Sequence, residues 1–533
     1  MQRFVCTPSS PIVQTVYGKL RGFESDGIYG FFGIKYARAK RFCQPERPKA
    51  WKGVRDALAF GHVCPILSTP IPTDEIRVPH RFWPSDENCL NLNVWTPSLD
   101  RGAKKPVMVW FHGGGFFAGS AIEQVAYDGD SLAKCEDMVV VTVNHRLNVF
   151  GYLDMSAYGE KYHNSVNAGI ADLQAALVWV HENILEFGGD PDNVTIFGQS
   201  GGGWKVTCIG QTPSAAGLFH KAILMSGISE WDETPNPAQL TSAEVAALLM
   251  KRFGFADDEA EKLEAVPTHD LICAVNEITA EAAREGRFVN WRPQGNDWYL
   301  GAPSEAGFTD YYKTVPTMAG TVFNEMNGAL MDIEKGALTD EEGAKMVLDR
   351  FGKEDGERLL AAFRKAFPEM NPVYSLECDT FFHRGTTRYL EEKAKVSSAP
   401  AYSYLFNVLF DYNNGQAAWH CADIPFVFHN TARVPVTQLG DGTDTKRLER
   451  QISHAFANFA RTGDPNIEEL PEWKPVEYGN VPTMVFTKEC FVKQDYEREF
   501  LPVLYDVYGP FRFASEPEKS DDDDGESGSK WFY

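Results

Sequence analysis

Continuous apolar runs recur along the chain, and helical patterns separate them. Several are short and rich in β-branched or aromatic residues, at 107–111, 138–143, 194–197 and 222–225. Strands that are apolar on both faces are typical of a parallel sheet covered by helices on each side. Further strand candidates lie at 90–95, 317–320 and 402–406. Broken alternating runs within 11–36 predict a small antiparallel start.

The stretch 167–187 changes to a helical period. Its apolar residues recur at spacings of three and four and form one stripe, made of Ile170, Leu173, Leu177, Val180, Ile184 and Phe187. Gly188, Gly189 and Pro191 then end this helix. A late helix carries the stripe Leu448, Ile452, Phe456 and Phe459. Strands that alternate with helices predict a mainly parallel sheet with helices on both faces.

Two polar segments interrupt this alternation. Residues 232–285 and 337–368 have a helical character, and we interpret both as insertions that cover the carboxyl-terminal edge of the sheet. The chain has 533 residues but no low-complexity linker between two halves, so residues 1–513 are predicted to form one α/β domain. The tail 514–533 is acidic and rich in glycine and serine, which predicts disorder.

Composition narrows the possible partners. A net charge of -23 argues against nucleic acid and anionic membranes. The sequence has no apolar run long enough to span a membrane and starts without the apolar core of a secretory signal. The 10 cysteines are scattered, without a CxxC pair, which indicates reduced thiols rather than a zinc cluster. We therefore expect a cytoplasmic protein that needs no metal.

The clearest chemical motif is Gly198-Gln199-Ser200-Gly201-Gly202, a G-x-S-x-G. It directly follows the apolar run 194–197, and a third glycine, Gly203, comes after it. A strand, a sharp turn and a glycine-rich helix start are typical of the nucleophile elbow, which holds a serine hydroxyl out at the turn. A bare G-x-S-x-G also occurs in ordinary loops, but this context favours Ser200 as a nucleophile.

A serine nucleophile needs a general base and an acid that orients it. In this fold the expected chain order is serine, acid, histidine. The histidines after Ser200 are His220, His269, His383, His420, His429 and His454. His420 lies in a loop after the strand 402–406, where catalytic residues are commonly displayed. Glu325 follows another predicted strand, although its spacing alone favours an ordinary solvated loop carboxylate.

Donors for the developing oxyanion are indicated by Phe111-His112-Gly113-Gly114-Gly115-Phe116, which follows a strand. This is the HGGG arrangement, whose glycines allow backbone N–H groups to approach a substrate oxygen closely. A plain glycine turn is the alternative interpretation. Each lost oxyanion donor typically costs about 3 kcal/mol of transition-state stabilisation.

With these residues placed, the chain resembles a type-B carboxylesterase, the cholinesterase-like branch of the α/β-hydrolases. The similarity runs from about Gly18 to beyond Pro465 through ordered motifs, namely Arg41-Phe42, Cys89-Leu90, residues 110–119, Asn144-His145-Arg146-Leu147, Asp172, Trp179-Val180, residues 187–202, Met225-Ser226-Gly227 and Asp423-Ile424-Pro425-Phe426. It implies an α/β-hydrolase fold, with a large mixed, mostly parallel sheet flanked by helices and helical insertions over the active site.

The resemblance also implies the roles of individual residues. It makes Ser200 the nucleophile, Glu325 the triad acid and His420 the base. It assigns the oxyanion hole to the N–H groups of Gly114, Gly115 and Gly201, and expects substrate contacts from Phe116, Gln199, Trp204 and Trp419. It further implies an Arg41–Glu87 salt bridge. In secreted relatives the pair matching Cys64 and Cys89 is disulfide-bonded, whereas here we expect the two thiols to be adjacent and reduced.

Several positions depart from the family pattern. Gln199 replaces the usual glutamate before the nucleophile, Gly201 replaces alanine after it, and Trp204-Lys205 replaces smaller residues. A cation pocket needs a carboxylate as well as an aromatic face, and Trp83 lies at a spacing that differs from the cholinesterase pattern. The neutral amide of Gln199 therefore predicts a preference for neutral esters over choline esters.

Together these features predict a serine carboxylesterase that forms an acyl-enzyme intermediate and uses no cofactor or metal. The expected partner is a small neutral ester. A hydrolase of amides or lactones on the same triad is an alternative. A non-catalytic binding protein of the same fold is a second alternative, which the presence of Ser200, Glu325 and His420 disfavours.

Overall fold

The structure is a computed structural model, and it describes residues 4–67, 76–228, 239–326, 330, 333–494 and 497–509. The predicted disordered tail, 514–533, lies outside these residues. Within the described part of the chain, no helix is both long and apolar enough to cross a membrane.

A twelve-stranded sheet runs through the described part of the protein. Its strands, in chain order, are Phe4–Val5 (β1), Phe23–Ser25 (β2), Ile28–Lys35 (β3), Asn91–Thr96 (β4), Lys105–Phe111 (β5), Val139–Val143 (β6), Gly189–Gln199 (β7), Lys221–Met225 (β8), Thr317–Val322 (β9), Ala401–Phe406 (β10), Pro482–Phe486 (β11) and Phe491–Gln494 (β12). The spatial order is β1-β2-β3-β4-β6-β5-β7-β8-β9-β10-β11-β12.

The middle of the sheet is parallel and its ends are antiparallel. All neighbouring strands from β6 to β11 in the spatial order run parallel. The pairings of β1 through β4, of β4 with β6 and of β11 with β12 are antiparallel. This confirms the predicted mainly parallel sheet with an antiparallel start.

The helices occupy the connections between strands. They are Asp130–Cys135 (α1), Asn148–Tyr152 (α2), Ala168–Asn183 (α3), Gly201–Gly210 (α4), Ser242–Phe253 (α5), Glu261–Glu264 (α6), Thr268–Arg284 (α7), Pro303–Ala306 (α8), Asp340–Ala366 (α9), His383–Val396 (α10), Ile424–Val427 (α11), Thr443–Thr462 (α12) and Glu497–Tyr508 (α13). Short strands outside the main sheet are Ile12–Gln14, Lys19–Arg21, Val54–Asp56, Gln239–Thr241, Phe288–Asn290, Leu409–Phe410 and Gln416–Ala417.

Alternate residues of the central strands pack into different cores, because side chains of a strand point to opposite faces. On β5, Val107 and Val109 pack with the stripe of α3, whereas Met108 and Trp110 pack with the stripe of α12. The two predicted helical stripes thus cover opposite faces of the sheet. This explains why the middle of each central strand is mostly apolar on both faces.

The predicted boundaries differ from the structure in a few places. The α-helix of the first stripe ends at Asn183, and residues Ile184–Phe187 continue as a 3₁₀ turn closed by the left-handed Gly188. Gly352, with φ 75°, divides α9 into two helical pieces. The insertion 232–285 contains α5 to α7, while its residues 232–238 lie outside the described part. The elements β11, β12, α10 and α13 were not predicted from the sequence.

Candidate active site

The candidate residues meet because the carboxyl ends of parallel strands lie along one edge of the sheet. The register pairs Phe111 with Gly198 and Gln199 with Met225, so the ends of β5, β7 and β8 are level. The glycine loop follows β5, and Ser200 follows β7. Glu325 lies three residues beyond Val322, the last residue of β9. All these segments leave the sheet on the same side.

Ser200 occupies a strained turn between β7 and α4. Its φ of 57° and ψ of -127° lie outside the conformations that non-glycine residues favour. The Ser200 N–H donates to the Met225 carbonyl at 2.8 Å, which fixes the turn against β8. The Ser200 carbonyl accepts from Gly203 N–H at 2.9 Å and so starts the helix. This is the geometry predicted for a nucleophile elbow.

The glycines beside Ser200 allow α4 to touch the glycine loop. A Cβ added to Gly201 would lie 2.4 Å from the Gly115 nitrogen, and one added to Gly202 would lie 2.0 Å from the Phe111 carbonyl oxygen. These distances leave no room for a side chain, so backbone meets backbone here. The N–H groups of Gly115 and Gly201 are therefore close neighbours.

The glycine loop has a fixed backbone conformation. Gly114 and Gly115 have φ values of 80° and 59°, in the left-handed region that glycine adopts without strain. The Gly114 carbonyl accepts hydrogen bonds from Phe117 N–H at 3.3 Å and Ala118 N–H at 2.9 Å. These bonds hold the peptide between Gly114 and Gly115, and with it the direction of the Gly115 N–H.

His420 and Glu325 form a buried pair. His420 Nδ1 lies 2.5 Å from Glu325 Oε2, and Glu325 Oε1 accepts from Val322 N–H at 2.8 Å. The chain segments are tied together by the Asn324 N–H, which donates to the Ala418 carbonyl at 2.9 Å. The Phe382 ring stacks on the imidazole with centroids 5.5 Å apart and planes 2° apart. Of the six histidines after Ser200, His420 is the one that is bonded to Glu325.

The Gln199 side chain contacts the His420 imidazole. Its Nε2 lies 3.2 Å from Nε2 and 3.3 Å from Nδ1 of His420, and its Oε1 accepts from the Cys421 thiol at 3.3 Å. No hydrogen bond joins the Ser200 hydroxyl to His420 within the described residues. Gln199, and not Ser200, is therefore the side chain that contacts Nε2 of His420 in this structure.

Comparison with known proteins shows to which family the chain belongs. The sequence profile described as the Carboxylesterase family matches residues 9–502. The chain belongs to the carboxylesterase family. Its relatives include the para-nitrobenzyl esterase of Bacillus subtilis (strain 168), which is 33% identical over 507 residues, or 93% of this chain and 99% of that protein. The phenmedipham hydrolase of Pseudarthrobacter oxydans is 31% identical, over 87% of this chain and 92% of that protein.

Solved structures agree with this assignment. An esterase from anaerobic Clostridium hathewayi, which can hydrolyse aliphatic aromatic polyesters, superposes with a TM-score of 0.89 at 45% sequence identity. The match covers 95% of this chain and 100% of that one. The protein therefore has the α/β-hydrolase fold predicted from the sequence, and it is a carboxylic ester hydrolase.

Aromatic side chains surround the candidate site of this carboxylesterase. The rings of Phe116 and Trp204 stack with centroids 6.0 Å apart, and Trp204 lies 6.1 Å from Phe382. Trp204 is half-buried and Phe116 is buried. Trp419, also expected to contact substrate, is buried against Phe410 at 4.7 Å.

Two features implied by the family resemblance are present. The Arg41 guanidinium forms a two-point ion pair with Glu87, including a bond from Nε to Oε2 of 2.9 Å. Cys64 and Cys89 are buried, free and in hydrogen-bond contact, and burial followed by this contact raises the pKa of the Cys64 thiol well above its ordinary value. The thiols are adjacent as predicted.

Two buried carboxyl groups, Asp379 and Asp423, lie close enough to Glu325 for its charge to act on them, and neither was predicted from the sequence to do so. Asp379 accepts N–H bonds from Phe381, Phe382 and His383, and burial together with the Glu325 charge raises its pKa well above the ordinary range. Burial and the Glu325 charge also raise the pKa of Asp423 to about 7. Asp423 stands in one of the family motifs, but the motif does not show that Glu325 is near, because burial and this proximity arise only in the folded chain.

Proposed function

We propose that this carboxylesterase hydrolyses esters through an acyl-enzyme on Ser200, with His420 as general base and Glu325 as the acid that orients it. The observation that carries this proposal is the buried His420 Nδ1–Glu325 Oε2 contact of 2.5 Å beside the strained Ser200 turn. With Nδ1–H directed at the carboxylate, Nε2 carries the lone pair that accepts the serine proton, and the Gln199 amide that lies 3.2 Å from Nε2 must give way to the Ser200 hydroxyl.

The reaction has two balanced steps. Ser200 Oγ attacks the ester carbonyl while His420 takes its proton, and the tetrahedral intermediate collapses as His420 returns that proton to the departing alcohol. Water then attacks the acyl-enzyme with the same base, and Ser200 regains its proton as the acid leaves. Glu325 stabilises the imidazolium form in both steps.

The oxyanion of each intermediate is proposed to bind the N–H groups of Gly114, Gly115 and Gly201. Support comes from the close approach of α4 to the glycine loop, where a Cβ on Gly201 would lie 2.4 Å from the Gly115 nitrogen. Donors that are fixed before the reaction cost no reorganisation when negative charge develops on the substrate oxygen.

The proposed substrate is a small neutral ester. Gln199 supplies an amide rather than a carboxylate beside the dyad, and the rings of Phe116, Trp204 and Phe382 offer an apolar wall. The Clostridium hathewayi relative hydrolyses aliphatic aromatic polyesters, so esters with an aromatic acyl group belong in the test panel. We further propose a reducing, cytoplasmic location, in which the adjacent Cys64 and Cys89 thiols stay reduced.

The test is hydrolysis of p-nitrophenyl esters of graded acyl length, including a benzoate, by wild type and Ser200→Ala. We expect kcat to fall on the order of 10⁴–10⁶-fold in the variant. Ser214→Ala is the matched control, because this exposed serine follows the same helix and should leave kcat unchanged. Near wild-type turnover by Ser200→Ala would refute the mechanism, and amide or lactone analogues in the panel test the alternative substrates.

A further inference from the structure

Lys205 is a fully buried cation directly behind the glycine loop. It lies on α4, five residues after Ser200, and its relative exposure is 0%. Its Nζ donates to the His112 carbonyl at 2.9 Å and lies 3.5 Å from the Gly113 carbonyl oxygen. The Gly113 carbonyl also accepts from His112 Nδ1 at 2.9 Å. A lysine is rarely placed at such a position, because desolvating its charge is unfavourable.

The contacts of Lys205 with two carbonyls also determine where the following N–H groups point. In a trans peptide the C=O and the following N–H point in opposite directions. The His112 and Gly113 carbonyls are held toward Lys205, so the N–H groups of Gly113 and Gly114 are turned away from it. The Gly114 N–H is one of the donors proposed for the oxyanion hole. The ammonium thus fixes, through two peptides, the direction of a group that would meet substrate.

The surroundings of Lys205 keep this contact intact. Burial lowers the pKa of Lys205 to about 7, while the charges of Glu123 and Cys208 raise it. His112 and His145 stack with centroids 4.8 Å apart, and burial followed by the Lys205 charge lowers the pKa of both imidazoles well below the ordinary value. An amine keeps N–H donors whether it is charged or neutral, so the hold on the carbonyls does not depend on its protonation state.

Lys393 is a second buried lysine, and it offers a comparison for the effect of removing Lys205. Lys393 is also 0% exposed, and its Nζ donates to the Tyr312 carbonyl at 2.6 Å. Burial lowers its pKa to about 7 as well. Both lysines are buried, donate to a backbone carbonyl and have a lowered pKa; they differ in the carbonyls they hold and in the Phe308 and Tyr312 rings that Lys393 Nζ also faces. Lys393 therefore serves as a matched control for the cost of removing a buried amine.

We propose that Lys205 is a positioning residue of the esterase: it orients the His112–Gly113 and Gly113–Gly114 peptides so that the Gly114 N–H meets the oxyanion. This inference rests on the proposed function, since it assumes an oxyanion at this loop. It adds a residue that never touches substrate. Its removal is expected to weaken transition-state binding while ground-state binding of the ester is kept.

The test compares Lys205→Met and Lys205→Gln with Lys393→Met and wild type. Methionine fills a similar volume without a donor, and glutamine keeps an amide donor one bond shorter. For a p-nitrophenyl ester we expect kcat of Lys205→Met to fall about 10- to 100-fold with KM nearly unchanged. Inhibition by a trifluoromethyl ketone, which becomes an oxyanion when Ser200 adds to it, should weaken by the same factor. Lys205→Gln should keep more of the wild-type kcat.

The outcomes separate this inference from the proposed function. Loss of kcat in Lys205→Met but not in Lys393→Met, with both folded by circular dichroism, supports positioning. Equal kcat values in folded Lys205→Met and wild type overturn it. Failure of both Lys205 variants to fold also overturns it, because the residue then acts through stability. If wild-type hydrolysis persists in Ser200→Ala, the proposed function itself fails, whatever the Lys205 variants do.

Discussion

Asp423 is a buried acid whose replacement should change how stability depends on pH. The residue is 1% exposed, and its Oδ2 accepts from the Tyr404 hydroxyl at 3.0 Å. Its Oδ1 has no hydrogen-bond partner within the described residues. Burial and the Glu325 charge raise its pKa to about 7 from 3.8. Asp423→Asn keeps the shape of this side chain and removes its titration.

The sign follows from proton binding. In the folded protein Asp423 holds its proton up to about pH 7, whereas the unfolded chain releases it near 3.9. Between these values the folded state binds more protons, so the contribution of Asp423 to the free energy of unfolding falls as pH rises. Of the interval from pH 5 to pH 8, the part below the folded pKa of about 7 has this effect. These two pH units, at about 1.4 kcal/mol each, lower the free energy of unfolding by about 3 kcal/mol. In Asp423→Asn the free energy of unfolding should not show this fall of about 3 kcal/mol between pH 5 and pH 8.

Urea denaturation at pH 5 and pH 8 measures the effect. An unpartnered amide at this position has a cost of its own, but that cost is the same at both values and cancels in the difference. Asp258→Asn is the control, because this exposed acid is solvated before and after unfolding. If the free energy of unfolding of Asp423→Asn decreases between the two pH values as much as that of wild type, the reasoning on burial and the Glu325 charge is wrong.

Three further changes probe the surroundings of the site. Wild type should favour 3,3-dimethylbutyl butyrate over butyrylcholine in kcat/KM at ionic strength near 0.15 M, and Gln199→Glu should raise the choline preference by adding a carboxylate; a roughly tenfold choline preference in wild type would contradict a neutral pocket. Thiol counting on rapidly quenched lysate should find Cys64 and Cys89 reduced, whereas a quantitative disulfide would exclude the proposed compartment. Gly202→Ala places a Cβ 2.0 Å from the Phe111 carbonyl oxygen. Urea denaturation should show a free energy of unfolding about 3 kcal/mol lower than that of wild type, whereas an unchanged value would mean that the turn accommodates the methyl group.

The sheet was predictable where burial makes whole strands apolar. β5 and β6 are covered on both faces, so their runs are almost wholly hydrophobic, with Thr142 as the one polar residue between 107 and 111 or 139 and 143. The edge strands are harder to predict, because one flank of an edge strand lies outside the sheet. β12 has the sequence Phe-Val-Lys-Gln, which is too short to show the alternation that marks a half-buried strand. Gly352 likewise gives no sign in the helical pattern that it would adopt a positive φ.

The site was predictable to the extent that its chemistry lies in contiguous motifs. Ser200 and the glycine loop are local signals, because a turn and its glycines adjoin in sequence. The Glu325–His420 pairing depends on β9 and the loop after β10 coming together, 95 residues apart in the chain. For that reason the residues alone left His420 among six histidines. The contacts of Lys205 were invisible because its partners are backbone carbonyls, which every residue possesses.

The assignment of Ser200 as the nucleophile is tested most directly by covalent labelling. The protein is treated with an organophosphate that carries a p-nitrophenyl leaving group, and the adduct is located by mass spectrometry of the digested chain. The proposed mechanism predicts one phosphoryl group per chain, on Ser200, with p-nitrophenol release and loss of esterase activity in the same proportion. An adduct on another residue, or full activity after complete labelling of Ser200, would contradict the central claim.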